Sequence, residues 1–235
     1  MGSDGTDGFA PRSTSRMPRG RLALAAIVAA VLIGVGAFSA GWLAAPRIAT
    51  PSDTSVEAGF ARDMQEHHNQ AVEMAMIVRS ASDDPEIRSL AYDIATSQSN
   101  QSGQMYAWLN LWGLPQAASQ PSMTWMRQPT IDGSDSGHGM AGMGGAEGEG
   151  DMVPGQSMPG MATSADIDEL SSLQGVAAEK LFLQLMIAHH QGGVEMADAV
   201  LARSSNPLVV ALANAVVFAQ TGEITYMQEL LAARS

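Results

Sequence analysis

The chain has 235 residues, with 12 basic and 24 acidic side chains and a formal net charge of −12. It contains no cysteine, which excludes disulfides, thiolate metal sites and cysteine nucleophiles. The acidic balance argues against a nucleic-acid partner, because phosphate contacts require a basic face.

The first segment predicts a membrane anchor. Residues 1–20 are Gly, Ser, Asp and Arg without periodicity, which indicates a disordered cytoplasmic tail. The uncharged run that follows exceeds the ~20 residues that cross a bilayer as a helix, whereas a cleaved signal peptide has a shorter apolar core. We therefore predict an uncleaved single span over 21–46, with the arginines on the cytoplasmic side and the rest of the chain outside the cytoplasm. Small residues around Ala37–Ala40 leave cleavage as the alternative.

A motif that occurs twice dominates the remaining sequence. The first copy starts at Phe60 as F-A-R-D-M-Q-E-H-H-N-Q-A-V-E-M-A, and the second starts at Phe182 as F-L-Q-L-M-I-A-H-H-Q-G-G-V-E-M-A. The shift of 122 residues holds without a gap as far as Leu109 and Leu231. An ungapped match of this length indicates an internal duplication.

Start and stop signals divide each copy into two helices. A first helix is predicted from a start signal at 50–53 to about Ser82, and a second begins at Asp84-Pro85, with the aspartate as N-cap, and stops at Gly113. Asn206-Pro207 repeats the cap in the second copy. Each copy is thus an αα-hairpin, and two such hairpins make a four-helix bundle.

The predicted fold is therefore all-α. The first hairpin covers 52–113 and the second covers 164–235, and both form one bundle. The linker at 114–163 is rich in Gly, Pro, Ser and Met, a composition that cannot bury a core and that indicates mobility.

The repeated residues predict a metal site. Because each helical residue advances about 100°, the histidines and two methionines of each motif share one interior stripe, and Glu73 lies on the opposite side. Di-iron bundles have Glu three residues before the ligating His, but this chain has Met there in both copies. Thioether with imidazole is a soft ligand set that suits Cu(I). The predicted ligands are Met64, His67, His68, Met74, Met186, His189, His190 and Met196.

Further side chains are candidates for supporting hydrogen bonds or for additional ligands. On the second helix of each hairpin these are Gln98, Met105, Gln220, Glu223 and Met227, and in the linker they are His138, Met140, Met143, Met158 and Met161, which would form a copper-capturing arm. Each has a structural alternative, namely interhelical hydrogen bonding, core packing or plain disorder. Two repeated histidine pairs favour metal, because four buried imidazoles without partners would be costly.

The motif resembles that of domain-of-unknown-function family 305. The resemblance rests on Phe-x-x-x-Met-x-x-His-His-x-x-x-Val-Glu-Met-Ala, on Met158-Pro-Gly-Met161, and on the Pro, Leu-Ala, Gln and Met that follow each motif. It covers about residues 54–112 and 158–233 and implies an exported, ferritin-like four-helix bundle. For characterised members it also implies periplasmic copper binding and copper tolerance. Gln101-Ser102 departs from the Glu-Ile that is common in the family and that Glu223-Ile224 keeps, which implies a weaker or differently ligated first half-site.

These observations predict a membrane-anchored, extracytoplasmic protein that binds copper, as Cu(I), for buffering, tolerance or delivery. Its partners would be the metal ion, the membrane and a membrane protein or copper enzyme. The alternative is a scaffold or accessory subunit of a membrane complex. A ferritin-like oxidase ranks lower, because it needs more core carboxylates than Glu223. We do not expect an enzyme, since neither a nucleophile elbow nor a phosphate loop is present.

Overall fold

The computed structural model describes residues 19–44, 50–134, 155 and 157–234. The chain divides into two compact units, 1–48 and 49–235. All regular elements in the described ranges are helices, as the sequence predicts.

The first unit contains one helix, α1, from Arg19 to Ala44. Every side chain from 27 to 43 is exposed within this unit, including Phe38 and Trp42, whose rings stack at a centroid distance of 6.3 Å. This apolar helix therefore buries none of the described side chains in the unit to which it belongs.

The second unit contains α2 to α6. The bounds are Val56–Ala81 for α2, Pro85–Leu111 for α3, Ser164–Ser172 for α4, Gly175–Leu201 for α5 and Pro207–Ala232 for α6. α2 starts at its N-cap Ser55, slightly later than the sequence predicts, because the Ser55 side chain accepts the Ala58 N–H. Asp84 and Asn206 cap α3 and α6 as predicted, each with proline at the first helical position.

The two hairpins are joined through α2 and α5, which pack on each other as well as on α3 and α6 respectively. The corner of each hairpin is tied to the first turn of the other. Ser82 donates to Glu179 at 2.6 Å, and Ser204 donates to Glu57 at 2.6 Å. Because these two pairs are related by the 122-residue shift, the hydrogen bonds indicate an approximate two-fold relation between the hairpins.

Two apolar clusters fill the bundle. The Trp125 cluster includes Val56, Phe60, Met64, Met105, Trp108, Trp125, Met196, Leu212 and Val216. The Phe182 cluster includes Met74, Ile87, Ile94, Leu170, Phe182, Met186 and Met227. Each cluster draws residues from both hairpins, so neither hairpin has a complete core of its own.

The prediction that the whole linker is mobile is wrong for the part around Trp125. Trp125 is the second residue of a short 3₁₀-helix, Thr124–Arg127. Its side chain is only 2% exposed. The indole packs edge-on against Phe60, and its N–H donates to the buried Asp63 carboxylate at 2.8 Å. Burying the indole with its N–H satisfied holds the segment on the bundle. Linker residues 135–154 lie outside the described residues.

The contact between α2 and Trp125 predicts a packing requirement at Gly59. A Cβ at Gly59 would lie 2.6 Å from the Trp125 side chain, whereas a Cβ at Gly103, in α3, meets nothing within 4 Å. Gly103→Ala should stabilise the protein by about 1 kcal/mol through helix propensity. Gly59→Ala gains the same propensity but overpacks, so its free energy of unfolding should be lower than that of the control by about 1–3 kcal/mol. Equal stabilities in urea unfolding would contradict this packing.

Candidate metal centre

The four motif histidines form one layer inside the bundle. His67 and His68 in α2 and His189 and His190 in α5 are all 0% exposed. We call them the histidine layer. The His67 and His189 rings face each other across the hairpin boundary with centroids 3.7 Å apart. His68 and His190 are the outer members, with ring centroids 6.5 and 6.4 Å from those of their sequence neighbours.

The layer separates the two apolar clusters. On α2, Met64 before the histidines belongs to the Trp125 cluster and Met74 after them belongs to the Phe182 cluster. On α5 the order is reversed, with Met186 in the Phe182 cluster and Met196 in the Trp125 cluster. All four methionines are 0% exposed, so thioethers lie on both sides of the imidazoles along each helix.

The second helices add one more methionine to each side. Met105 belongs to the Trp125 cluster and Met227 to the Phe182 cluster, and both are 0% exposed. The four long helices of the bundle thus give each cluster three methionines of the predicted set, two from one hairpin and one from the other. The Trp125 cluster also contains Met123 and Met158, which are 4% and 5% exposed.

Hydrogen bonds fix one nitrogen in three of the four imidazoles. His67 Nε2 lies 3.1 Å from the carbonyl oxygen of Pro159, and His190 Nε2 lies 2.6 Å from Glu223 Oε2. Carbonyl and carboxylate oxygens only accept, so in both rings Nε2 carries the proton. His68 Nε2 donates to Gln101 Oε1 at 2.7 Å. Nδ1 is therefore the atom with a free lone pair in these rings.

Five imidazole nitrogens are left over. Nδ1 of all four histidines and Nε2 of His189 are buried and have no hydrogen-bond partner within the described part of the chain. A buried polar atom without a partner is costly, and native structures hold few of them. Their concentration in one layer indicates a ligand, and a metal ion is the ligand that accepts several imidazole lone pairs at once.

The chemistry of the donors restricts the metal. Among the described residues, no three His, Asp or Glu side chains converge at the distances that a metal ion needs. The buried thioethers on either side of the histidine layer are further donors that a site in this interior can use in addition to imidazole. Imidazole and thioether donors fit a soft ion such as Cu(I) and do not fit the oxygen preference of magnesium or manganese.

Glu223, a predicted supporting residue, lies beside an outer histidine, and Gln101, which the sequence did not predict as one, takes the equivalent position in the other hairpin. Gln101 and Glu223 are related by the 122-residue shift, and each accepts a hydrogen bond from the outer histidine of its own hairpin. Such an acceptor orients a ligating imidazole and raises its basicity, and a carboxylate does so more strongly than an amide. The structure thus gives the first hairpin the weaker acceptor.

Gln98 and Gln220 lie deeper. Both are 2% exposed, and neither amide has a hydrogen-bond partner in the described ranges. Gln220 lies close to Gly193, so that a Cβ at this glycine would be only 2.4 Å from Gln220 Oε1. Interhelical hydrogen bonding, the structural alternative for these two residues, is not seen in this structure.

The segment before α4 closes one side of the layer. Its Pro159 carbonyl contacts His67. A Cβ at Gly160 would collide with backbone of α5, and a Cβ at Gly192 would collide with backbone of the segment before α4. The sequence motif Met158-Pro-Gly-Met161 gave no sign that its proline carbonyl contacts a histidine. Met161 is half-buried, and His138, Met140 and Met143 lie outside the described residues.

Burial favours the neutral form of three of the imidazoles, those of His67, His68 and His189. It lowers the pKa of His67 to about 4, with the Pro159 hydrogen bond opposing the change, and it lowers the pKa of His68 to about 3. The pKa of His189 is also well below its usual value because of burial and the neighbouring imidazoles. Neutral imidazole is the form that binds metal.

Comparison with known proteins supports the fold and identifies the family. The family model of DUF305, a domain of unknown function, matches residues 57–231. The chain belongs to the DUF305 family. No curated protein matches it.

Solved structures of DUF305 proteins are similar to this one. A candidate secreted DUF305 protein from Streptomyces coelicolor is 44% identical, covers 78% of this chain and 96% of its own, and superposes with a TM-score of 0.64. A DUF305 fragment from Deinococcus radiodurans is 33% identical over 76% of this chain and 96% of its own, with a TM-score of 0.56. CopM in its Cu(I)-bound form is 21% identical over 78% of this chain and 97% of its own, with a TM-score of 0.53, which shows a shared fold.

The buried neutral histidines predict that the metal-free protein loses stability in mild acid. Unfolded His67 and His68 take up protons near pH 6.5, but the folded rings do so only near pH 4 and 3. Stability should therefore fall as the pH drops from about 6.5 to 5, by up to about 1.4 kcal/mol per pH unit for each histidine. Urea unfolding in the presence of a chelator measures this, with His68→Gln expected to reduce the slope. A stability that is constant or rises over this window would contradict the prediction.

Proposed function

We propose that this DUF305 protein binds copper, as Cu(I), outside the cytoplasm and serves in copper buffering, tolerance or delivery. The observation that carries the proposal is the histidine layer, whose five unpartnered imidazole nitrogens lie between two methionine-containing clusters. An interior of this kind has an energetic cost that a bound soft ion would remove.

The family comparison is consistent with this proposal. CopM has the same fold and is described in Cu(I)-bound, Cu(II)-bound and Ag-bound forms. Silver and Cu(I) are both soft monovalent ions, which matches the thioether and imidazole donors of this chain.

We propose a binding protein rather than an enzyme. Among the described residues, Glu223 is the carboxylate that is hydrogen-bonded to a motif histidine, and Gln101 takes the equivalent position in the other hairpin. A ferritin-like oxidase would need bridging carboxylates in this layer. A scaffold role would account for a buried bundle, but it would not account for histidine nitrogens without partners.

We further propose that α1 anchors the bundle in a membrane. Residues 27–43 form an apolar helical stretch with no charged side chain, and within its unit this stretch is exposed. The described helix with the length and composition of a full span is α6, but α6 is a helix of the bundle and buries Val209, Leu212 and Val216 in its core. A core helix passes the same composition test, so we assign the anchor to α1.

The proposal predicts that buried and exposed methionines of α2 differ in their effect on copper binding. Met64 is 0% exposed and precedes the histidines, whereas Met76 is 49% exposed. Changing either methionine to leucine conserves volume, so both variants should fold. The Cu(I) affinity is measured in competition with a chromogenic chelator. Met64→Leu should bind at least roughly 10–100-fold more weakly than the wild type, the factor by which loss of an outer-shell partner weakens metal binding. Met76→Leu should bind as tightly as the wild type.

Two outcomes would contradict the copper proposal. One is a wild-type protein that takes no Cu(I) from the chelator. The other is a His189→Gln variant that binds Cu(I) as tightly as the wild type. This substitution removes the imidazole that has two unpartnered nitrogens. That second result would favour the scaffold alternative.

The anchor predicts membrane retention of the intact chain. After carbonate extraction of membranes from cells that express the full chain, the protein should remain in the pellet with residues 21–46 still present by mass spectrometry. Recovery of a shorter chain that starts after Ala40 in the soluble fraction would show cleavage instead.

A further inference from the structure

A cleft of about 720 Å³ opens the bundle on one side, between α3 and α6. These two helices are not packed together as closely as the other neighbouring pairs. α3 contributes mostly polar side chains to the cleft, among them Ser97 and Gln101, and α6 contributes apolar ones, among them Leu212 and Ala215.

Gln101 connects this cleft to the histidine layer. It lines the cleft and is half-buried, and its Oε1 accepts the Nε2–H of His68 at 2.7 Å. The histidines themselves are 0% exposed. Anything that reaches them from solvent must therefore pass a side chain that covers them, and Gln101 is such a side chain with open space beside it.

The other sides of the layer are more firmly closed. Backbone covers His67, through the Pro159 carbonyl and the close approach of Gly160 and Gly192. Glu223 covers His190 with a side chain that is 25% exposed, at 2.6 Å. A carboxylate accepts a hydrogen bond more strongly than the neutral amide of Gln101, so Glu223 is harder to displace.

We propose that the metal ion reaches the histidine layer through the α3–α6 cleft, and that Gln101 is the residue that must turn away from His68 to admit it. The proposal rests on the function proposed above and adds the access route to the same site. The cleft wall near Gln101 offers amide and hydroxyl oxygens, which hold soft ions weakly, so an ion passes through instead of staying.

The test compares loading rates in the full-length chain in detergent. Cu(I) is supplied as its complex with a chromogenic chelator, and the loss of the complex is followed by stopped flow, with the equilibrium affinity measured separately. Ser97→Trp places a large side chain in the cleft, and Ser99→Trp places the same side chain at an exposed position of α3 that does not line it.

Ser97→Trp should slow loading and release together by about tenfold or more, the factor given by about 1.4 kcal/mol of added barrier, at unchanged affinity. Ser99→Trp should leave both rates at the wild-type values. Gln101→Ala removes the covering side chain and should speed loading. Slower loading in Ser97→Trp and faster loading in Gln101→Ala are opposite changes in rate at the same cleft. A general loss of structure would not produce both, so the pair distinguishes an access route from misfolding.

Equal loading rates for Ser97→Trp and Ser99→Trp would overturn the cleft proposal and leave the copper proposal intact. The cleft proposal would also be overturned if Ala219→Trp slowed loading and Ser97→Trp did not. Ala219 is the position on α6 equivalent to Ser97, so that result would place the route near Glu223. A wild-type chain that takes up no Cu(I) at equilibrium would overturn both proposals.

Discussion

The contact between His67 and His189 is the constraint on which the rest of the structure depends. Two imidazoles 3.7 Å apart in a fully buried layer must both be neutral, since two positive charges at that distance in a poorly solvated interior would repel strongly. The burial that lowers their pKa values is supplied by the methionine and aromatic clusters on either side. Those clusters in turn exist only because both hairpins contribute to each. The packing of the bundle and the chemistry of its centre are therefore one arrangement.

The duplicated scaffold holds a site that is not symmetric. Backbone from the segment before α4 reaches His67 through Pro159 but provides no such acceptor for His189. The outer histidines differ as well, because one faces the Gln101 amide and the other the Glu223 carboxylate. Equivalent positions in the two hairpins thus offer imidazoles of different basicity and different access, and a bound ion would encounter unequal donors on its two sides.

Much of this arrangement follows from the sequence. The helical period puts Met64, the histidines and Met74 on one interior stripe, and Asp84-Pro85 with Asn206-Pro207 marks the second helices, because these signals act within a few residues. The hydrogen bond between Ser204 and Glu57 and the ring contact between His67 and His189 were not predicted, since they depend on how the two hairpins meet. Sequence patterns along a single helix carry no information on that.

The linker shows the same limit in another form. Its composition argued against burial, yet Trp125 enters the core because Asp63, about sixty residues earlier in the chain, supplies a carboxylate for its indole N–H at 2.8 Å. The Pro159 carbonyl is even further from its partner His67, at 92 residues along the chain. Composition describes what a segment can do alone, whereas both contacts need a surface that only the assembled bundle provides.

The exchange of methionines between the clusters bears on how such a chain could arise. Met196 completes the set that contains Met64 and Met105, and Met74 completes the set that contains Met186 and Met227. A lone hairpin of this type would have an unfinished core on both sides of its histidines. A second hairpin with the same pattern would complete that core, and the present chain supplies one itself. Because both hairpins lie in one chain, equivalent positions need not carry the same residue, and Gln101 and Glu223 are one pair that differs.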